Sequence, residues 1–487
     1  MPSQQDLPLA RRLTAALPDR LRGAAGRRLG VSSASELARG ARRLTQLAYV
    51  VLVYGLLPAL VPPRRRTLSG PVRLRRALED LGGTWIKLGQ TLALRFDLLP
   101  PAYCHELFGL LNRVAPFPSA EVERIVRTEL GRDVGEVFAS FAPEPFGAAS
   151  IGQVHDAVLP SGMRVAVKVQ RPGIERLITT DIALMYRVSR LLDLTRVFGG
   201  TRTRDVIDEF ARWTREELDY TVEAANALAM RAQAGSGETA YHPDVFPEYT
   251  TSRVLTAERL DGILLVEVIR DLQTDRPGAT RRLRAAGYDL DQVATNIVWN
   301  FLHQVYAVGV FHGDLHPANL LILPGNRIGY VDFGIIGRLT EPVRKSLVRY
   351  SGSLFAGEVD EAIRQFLRWV APSPATDVPA ATREMVGLTE RFLDALERAA
   401  DGKRQIMARY QEDLLEITRT HRMAIDPAVV LYMKVVLTID SVTSALSPAL
   451  DLQDLHGRFF RELILEGIQA AQAERLPQPA TSAPADA

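Results

Sequence analysis

The chain has a single cysteine in 487 residues, Cys104, so no intramolecular disulfide can form and a disulfide-stapled scaffold is excluded. A reducing compartment fits. Cys104 lies in an apolar helical pattern, where a small buried hydrophobe is expected rather than a nucleophile. Lysine is almost as scarce: of 59 basic residues only Lys87, Lys168, Lys345, Lys403 and Lys434 are lysines. A chain that uses arginine nearly everywhere, yet keeps lysine at motif positions 87 and 168, calls for a compact ammonium there rather than a planar fork. No internal repeat is present, which argues against a solenoid. Charge of either sign is nearly balanced at +2, but the first 80 residues carry fifteen arginines against five acids. That basic arm suggests an anionic partner. It lacks the interleaved aromatics that stack bases, so nucleic acid is not expected as a partner.

What is present is ordinary globular material: 47% hydrophobic and 24% charged residues, with length for two to four domains. A charge-free run of twenty residues, Leu44 to Pro63, is bracketed by arginines. Gly55, Pro58, Pro62 and Pro63 leave about 14 residues of uninterrupted helix, short for a bilayer. It is expected first as an interfacial or membrane-associated helix, then as a core helix, and last as a span. The run starts too deep and lacks a small-residue cleavage site, so it is not read as a secretory leader.

The chemistry concentrates in Val310 to Gly334. Here His312-Gly313-Asp314-Leu315-His316-Pro317-Ala318-Asn319 is followed by an apolar hairpin around Pro324-Gly325-Asn326 and then Asp332-Phe333-Gly334. Asp314 and Asn319 have the spacing of a kinase catalytic loop, with the Asp facing an attacking hydroxyl and the Asn holding Mg²⁺. The hairpin should bring Asp332 beside Asn319, where a carboxylate can bridge Mg²⁺ to ATP phosphates. Upstream, Lys168 stands in a β-branched run, Arg164 to Gln170, the arrangement that sets an ammonium against nucleotide phosphates. The loop before it, Gly147-Ala148-Ala149-Ser150, is not G-x-G-x-x-G, though its backbone amides can cradle phosphate. Glu223 or Glu217, on a helix read over Arg204 to Met230, can pair with Lys168. Val254 to Glu258 reads as a strand, with Glu258 opening the link between two lobes where adenine is held. Other expected helices are Leu74 to Leu111 with a break at Pro100-Pro101, Ser119 to Leu130 with Ser119 as N-cap, and Leu290 to Val308 with Asp289 as N-cap. After Gly334 the chain enters a helix near Glu341, leaving almost no activation segment and no Ala-Pro-Glu element for a protein substrate.

These motifs resemble the UbiB family of atypical kinases, whose eukaryotic members are the ADCK proteins, over roughly residues 70 to 450. Lys87-Leu88-Gly89-Gln90 resembles its K-x-G-Q helix, and Arg95-Phe96-Asp97-Leu98-Leu99-Pro100-Pro101 the segment that follows. Gly147 to Ser150 resembles its Ala-rich loop, with Gly147 departing from alanine. Glu217-Leu218-Asp219 resembles its E-x-D element, and Glu223 its helix glutamate. The resemblance implies an α+β, protein-kinase-like two-lobed fold. A helical extension would fold over the site, with Lys87 and Gln90 entering the acceptor space near Glu217 and Asp219. It implies ATP and Mg²⁺ as cofactors and a place in isoprenoid quinone or membrane lipid metabolism.

The expected organisation is therefore a basic arm with the apolar helix (1–69), the K-x-G-Q extension (70–140), a kinase-like N-lobe (141–258), a mostly helical C-lobe (259–470) and a Pro/Ala/Ser tail (471–487). Expected partners are a nucleotide, a membrane surface with lipid or quinone intermediates, and a second copy of the chain in a homodimer. The expected location is the cytoplasmic face of the inner membrane. Proteobacterial members of that family end in transmembrane helices whereas this sequence reads to a polar tail, so membrane attachment is expected here from Leu44 to Val61 and the arginine clusters. Two other readings stay open: a small-molecule phosphotransferase of the aminoglycoside or choline kinase type, which lacks the Lys87 helix, and a nucleotide-binding scaffold without turnover.

Overall fold

Leucines spaced three and four apart fold the first part of the chain into helices that lie on one another. The computed structural model describes residues 43–56, 68–93, 95, 98–107, 109–110, 115–195, 202–233, 239–398 and 403–473. The basic arm to residue 42, the Arg64 to Arg66 cluster, Phe96, Asp97 and the 474–487 tail lie outside the described residues. Helix α1 covers residues 43–56, its last turns (Val51–Leu56) widened to a π-helix. Then follow α2 (Gly70–Leu81), α3 (Thr84–Ala93) and α4 (Pro101–Leu107). Leucine spacing alone predicts one helix through residue 82. The chain instead breaks at Gly82 and Gly83, both at positive φ (66° and 48°), a conformation that residues with a Cβ adopt at a cost. The break turns α3 back against α2. Cys104 is fully buried under α3, near the carbonyls of Leu92 and Leu99.

Helix α5 (Ser119–Leu130) leads into a five-stranded antiparallel sheet of β1 (Ser140–Phe141), β2 (Gly147–Ala148), β3 (Gly152–Val158), β4 (Arg164–Gln170) and, after three more helices, β6 (Val254–Glu258). Ser119 is not the N-cap: Pro118, held at φ −58° and extended, takes that position, and no side chain closes the helix end. Strand β4 alternates. Val165, Val167 and Val169 are fully buried against α5 through Val122, Ile125 and Val126, so Ala166 and Lys168 face the opposite side, toward the cleft.

The helices between the strands are α6 (Ile174–Thr195), α7 (Thr203–Glu217) and α8 (Tyr220–Gln233). Periodicity alone predicts a single helix over Arg204 to Met230. Instead α7 and α8 part at Leu218-Asp219 because Asp219 Oδ1 accepts from the Thr221 amide (3.0 Å) and hydroxyl (2.7 Å), capping a new helix. After β5 (Ala240–Tyr241) and β6 (Val254–Glu258) come β7 (Ile263–Leu264), α9 (Leu265–Thr274), α10 (Arg276–Ala285) and α11 (Leu290–Leu302). Asp289 caps α11 through the Asp291 and Gln292 amides. His303–Val308 then continues as a π-helix up to Gly309. Strand β8 (Val310–His312) precedes the hairpin β9 (Leu320–Leu323) and β10 (Arg327–Tyr330), which pairs Leu323 with Arg327 around Gly325 and Asn326. Strand β11 (Ile336–Arg338) folds back on β8. This takes up the short segment after Gly334 before α12 (Glu341–Phe355).

The rest is helical apart from one short ladder: α13 (Val359–Phe366), β12 (Val370–Pro372), α14 (Val378–Arg398), α15 (Lys403–Thr420), β13 (Met423–Ile425), α16 (Pro427–Leu446) and α17 (Leu452–Ala473). Among the described residues only α16 is long and apolar enough to cross a membrane. It packs on α11 and α9 and buries Val429, Met433, Val435, Ile439 and Val442, as a core helix does. The fold is α+β and kinase-like: a sheet-bearing lobe and a helical lobe, with Asp332, just after β10, meeting Lys168 of β4.

Gly152 shows how tightly the sheet lobe is closed. A Cβ there would stand 2.3 Å from the Tyr220 hydroxyl and 2.7 Å from the Val169 carbonyl oxygen. Backbone cannot yield as a side-chain tip does, so Gly152→Ala should lower stability by about 1–3 kcal/mol, read as an earlier urea midpoint.

Candidate active site

Lys168 comes off the cleft side of β4, and α8 carries Glu223 beneath it. Lys168 Nζ donates to both Glu223 oxygens, at 2.9 and 2.8 Å, and to Asp332 Oδ2 at 3.4 Å. It also stands over the Tyr220 ring, 5.2 Å from its centre. One ammonium thus serves two carboxylates. Burial alone would lower the Lys168 pKa, but Asp332 and Glu223 outweigh it and hold the pKa well above its ordinary value. The deeper acid bears the desolvation: burial pushes Glu223 up to about 7 against the pull of Lys168. Asp332, with a side chain 42% exposed, is held below the ordinary carboxylate range: Lys168 and the Gly334 amide overcome the opposing effect of burial.

The catalytic-loop residues are fixed from several sides. Asn319 Nδ2 donates to Asp314 Oδ2 (2.8 Å) and to the Asp314 carbonyl (3.1 Å). His312 is fully buried. It accepts at Nδ1 from the Asp314 amide (3.1 Å) and donates from Nε2 to the Asp332 carbonyl, tying the loop to the Asp-Phe-Gly segment. Gln304, in the π-helical stretch, accepts from the His312 amide. On the other side Asn226 of α8 donates to the Phe333 carbonyl and accepts from Arg338. The Val331 amide donates to the Asn319 carbonyl at 3.2 Å, which brings Asp332 and Asn319 into adjacent backbone positions.

The extension reaches the same region. Lys87 of α3 is ion-paired with Glu217 at the end of α7. Leu218, next to Glu217, accepts at its carbonyl from Gln170 of β4, two residues beyond Lys168. Gln90 is spent differently, donating to the Leu110 carbonyl at 3.2 Å, and Asp219 is the cap of α8. Glu258 accepts from the Tyr241 hydroxyl and its amide donates to Asp244, so its side chain holds the link between lobes together. In the loop from Gly147 to Ser150, the Ala149 amide donates to the Gly152 carbonyl. A Cβ on Gly147 would meet only Val154 at ordinary distance, so space does not require glycine there.

One residue of the cluster belongs to no motif. Lys434, from the middle of α16, donates to Asp314 Oδ1 at 2.8 Å. Lys434 holds Asp314 below the usual carboxylate range, although burial acts in the opposite direction. Its only sequence signal was the rarity of lysine.

The donor set suits a hard divalent cation. Asp332 offers carboxylate oxygens, and Asn319, with its nitrogen bound to Asp314, keeps its amide oxygen for a ligand. No group of three His, Cys, Asp or Glu that could cage a metal occurs among the described residues.

The chain is similar to known proteins over most of its length. The family model of the ABC1 atypical kinase-like domain matches residues 109–365. The probable protein kinase UbiB of Marinobacter nauticus is 33% identical over 394 residues, 79% of this chain and 68% of the relative. Its namesake in Cellvibrio japonicus is 34% identical over 408 residues, 82% and 70% of the two chains. The solved complex of Rv3197 with erythromycin from Mycobacterium tuberculosis superposes with a TM-score of 0.52 at 22% identity, covering 85% of this chain and 93% of that one. At that identity the likeness speaks for the fold.

Proposed function

We propose that this chain, which belongs to the UbiB family of ABC1 atypical kinases, is a Mg²⁺-ATP-dependent phosphotransferase or ATPase that works at a membrane surface in isoprenoid quinone or lipid metabolism. One observation carries the reading. Lys168, Glu223, Asp332, Asn319 and Asp314, from separate elements of both lobes, meet in two hydrogen-bonded sets that His312 joins. Phosphoryl transfer asks for that kind of positioning and charge placement and little covalent help.

In this reading Lys168 holds the nucleotide phosphates and Glu223 holds Lys168. Asp314, kept ionised, orients the attacking hydroxyl or water. Asp332 and Asn319 hold Mg²⁺, which when bound neutralises charge on the phosphates. Gly147 to Ser150 close over the nucleotide and Glu258 marks the link that holds the base. Lys87, paired with Glu217, closes the space a bulky protein acceptor would use, so the acceptor is water or a small or lipid hydroxyl. The membrane part of the reading rests on α1. Arg43 pins it through a bidentate pair with buried Asp181 (3.0 and 2.7 Å), while Leu44, Tyr49, Val51 and Leu52 stay exposed along it. An apolar stripe beside a basic arm fits the cytoplasmic face of an anionic inner membrane.

A pH profile follows. Glu223 carries its proton below about pH 7 and loses it above, so its full ionic hold on Lys168 is present only on the alkaline side. The kcat/KM for ATP should therefore rise with pH through about 7. The buried histidines His312 and His242 are pushed below 6.5 by burial and do not account for such a step. Glu223→Gln should be slow at every pH and lack the inflection; an unchanged inflection would assign it elsewhere. The reading as a whole is tested by calorimetric titration of ATP into the full chain with and without Mg²⁺. Binding strengthened by Mg²⁺ supports it, and no binding in either condition refutes it.

A further inference from the structure

Four lysine side chains are described, and three of them meet an acid in the region just built: Lys87 with Glu217, Lys168 with Glu223, Lys434 with Asp314. Lys345 pairs with Glu341 on an exposed helix. Lys434 is the odd one. It sits inside α16, the most membrane-like helix among the described residues, where an apolar side chain would pack without any charge to desolvate. A buried ion pair is weak evidence of stabilisation, because well-packed apolar residues often serve as well. Its position asks for another reason.

The geometry supplies one. The Lys434 side chain is 11% exposed, and its Nζ is 2.8 Å from Asp314 Oδ1. An ammonium has three N–H donors. One goes to Asp314, and among the described residues no acceptor for the other two is found. Asp314 Oδ2 is already taken by Asn319. The loop from His312 to Asn319 has no fixed cation of its own. It carries no lysine or arginine, and its two histidines are engaged by backbone groups: His312 by the Asp314 amide and the Asp332 carbonyl, His316 by the Ala318 amide. Lys168 is committed to two carboxylates on the far side of the cluster. A transferring phosphoryl group spreads negative charge over its oxygens beside the residue that faces the acceptor, and a preorganised cation there is worth far more than in water.

We propose that Lys434 is a catalytic residue that donates its unspent N–H groups to the terminal phosphoryl of the bound nucleoside triphosphate, supplying from α16 the cation that the loop lacks. The assignment rests on the ATP reading above and deepens it. It distinguishes a triphosphate from a diphosphate, because only the former carries the terminal phosphoryl assigned to Lys434.

Lys434→Met alone is ambiguous, since it strands a buried carboxylate that would itself repel phosphate. The test is a cycle in the full chain: wild type, Asp314→Asn, Lys434→Met and the double variant, each titrated calorimetrically with ATP and with ADP in Mg²⁺. Comparing the double variant with Asp314→Asn removes Lys434 when no carboxylate is left unpaired. The expected result is ATP binding about tenfold or more weaker in the double variant than in Asp314→Asn, with ADP binding unchanged, the size of a lost charged hydrogen bond. Equal ATP affinities would overturn the assignment and leave Lys434 a partner of Asp314 alone. A loss shared by ADP would overturn it as well, because ADP lacks the group assigned to Lys434. A wild type that binds neither nucleotide would sink the ATP reading and this inference with it. A wild type that binds both keeps the two failures apart.

Discussion

Asp332→Asn should lower Mg²⁺-dependent turnover by about 10²–10³-fold, the usual scale for removing one preorganised electrostatic group. The change is nearly isosteric, and it keeps an oxygen for the Gly334 amide, 2.9 Å away in the native chain. What it removes is the charge. The native carboxylate is ionised well into acid because Lys168 and an amide face it, so at neutral pH it is an anion ready for a cation. An amide offers one weaker oxygen. The native side chain is 42% exposed, so folding should barely feel the loss, by about 1 kcal/mol or less. Steady-state kinetics beside urea unfolding separate the two effects. Full activity in the Asp332→Asn variant would remove Asp332 from the metal-holding role.

Lys168→Met should be costly for both stability and activity. Native Glu223 has a side chain 6% exposed, and both its oxygens accept from Lys168. Without the ammonium it is a buried charge facing the Asp332 carboxylate and must take up a proton or water. Breaking a buried pair on one side costs about 3–5 kcal/mol. Proton uptake limits the loss, since Glu223 already titrates near 7. The variant should therefore unfold earlier in urea, and the deficit should widen as pH rises above 7, where keeping Glu223 protonated costs more. ATP turnover should also fall by two orders of magnitude or more, as the phosphates lose their lysine. The double change Lys168→Met with Glu223→Gln should recover much of the stability and none of the activity. If the double variant recovers activity, Lys168 is structural.

These effects trace back to features of unequal legibility. The catalytic loop, the hairpin and the Lys168 strand were readable because each is local: a fixed spacing, a turn signal, a β-branched alternation. The choice of Glu223 over Glu217 as the partner of Lys168 came from the family resemblance and not from local pattern, since both lie on helical sequence and the pairing depends on the break at Leu218-Asp219. That break is made by Asp219 bonding to its neighbour's backbone, a competition between cap and helix that periodicity does not register. Gly82 and Gly83 likewise divide a stretch whose leucines keep helical spacing across them. Lys434 was the least legible: it is 120 residues from Asp314, and nothing local joins them. Asn226 and Gln304, which hold the Asp-Phe-Gly and His312 segments, read in sequence as ordinary polar residues on apolar helices. Motifs gave the reacting groups, and the groups that orient them emerged only from the packed fold.

The most direct test of the central claim is ATP hydrolysis by the full chain, measured with and without Mg²⁺ and with and without vesicles of anionic phospholipid. The account predicts turnover that requires Mg²⁺ and rises when vesicles are present. Absence of Mg²⁺-dependent turnover in every condition, from folded protein that binds ATP, would contradict it and leave a nucleotide-binding scaffold in its place.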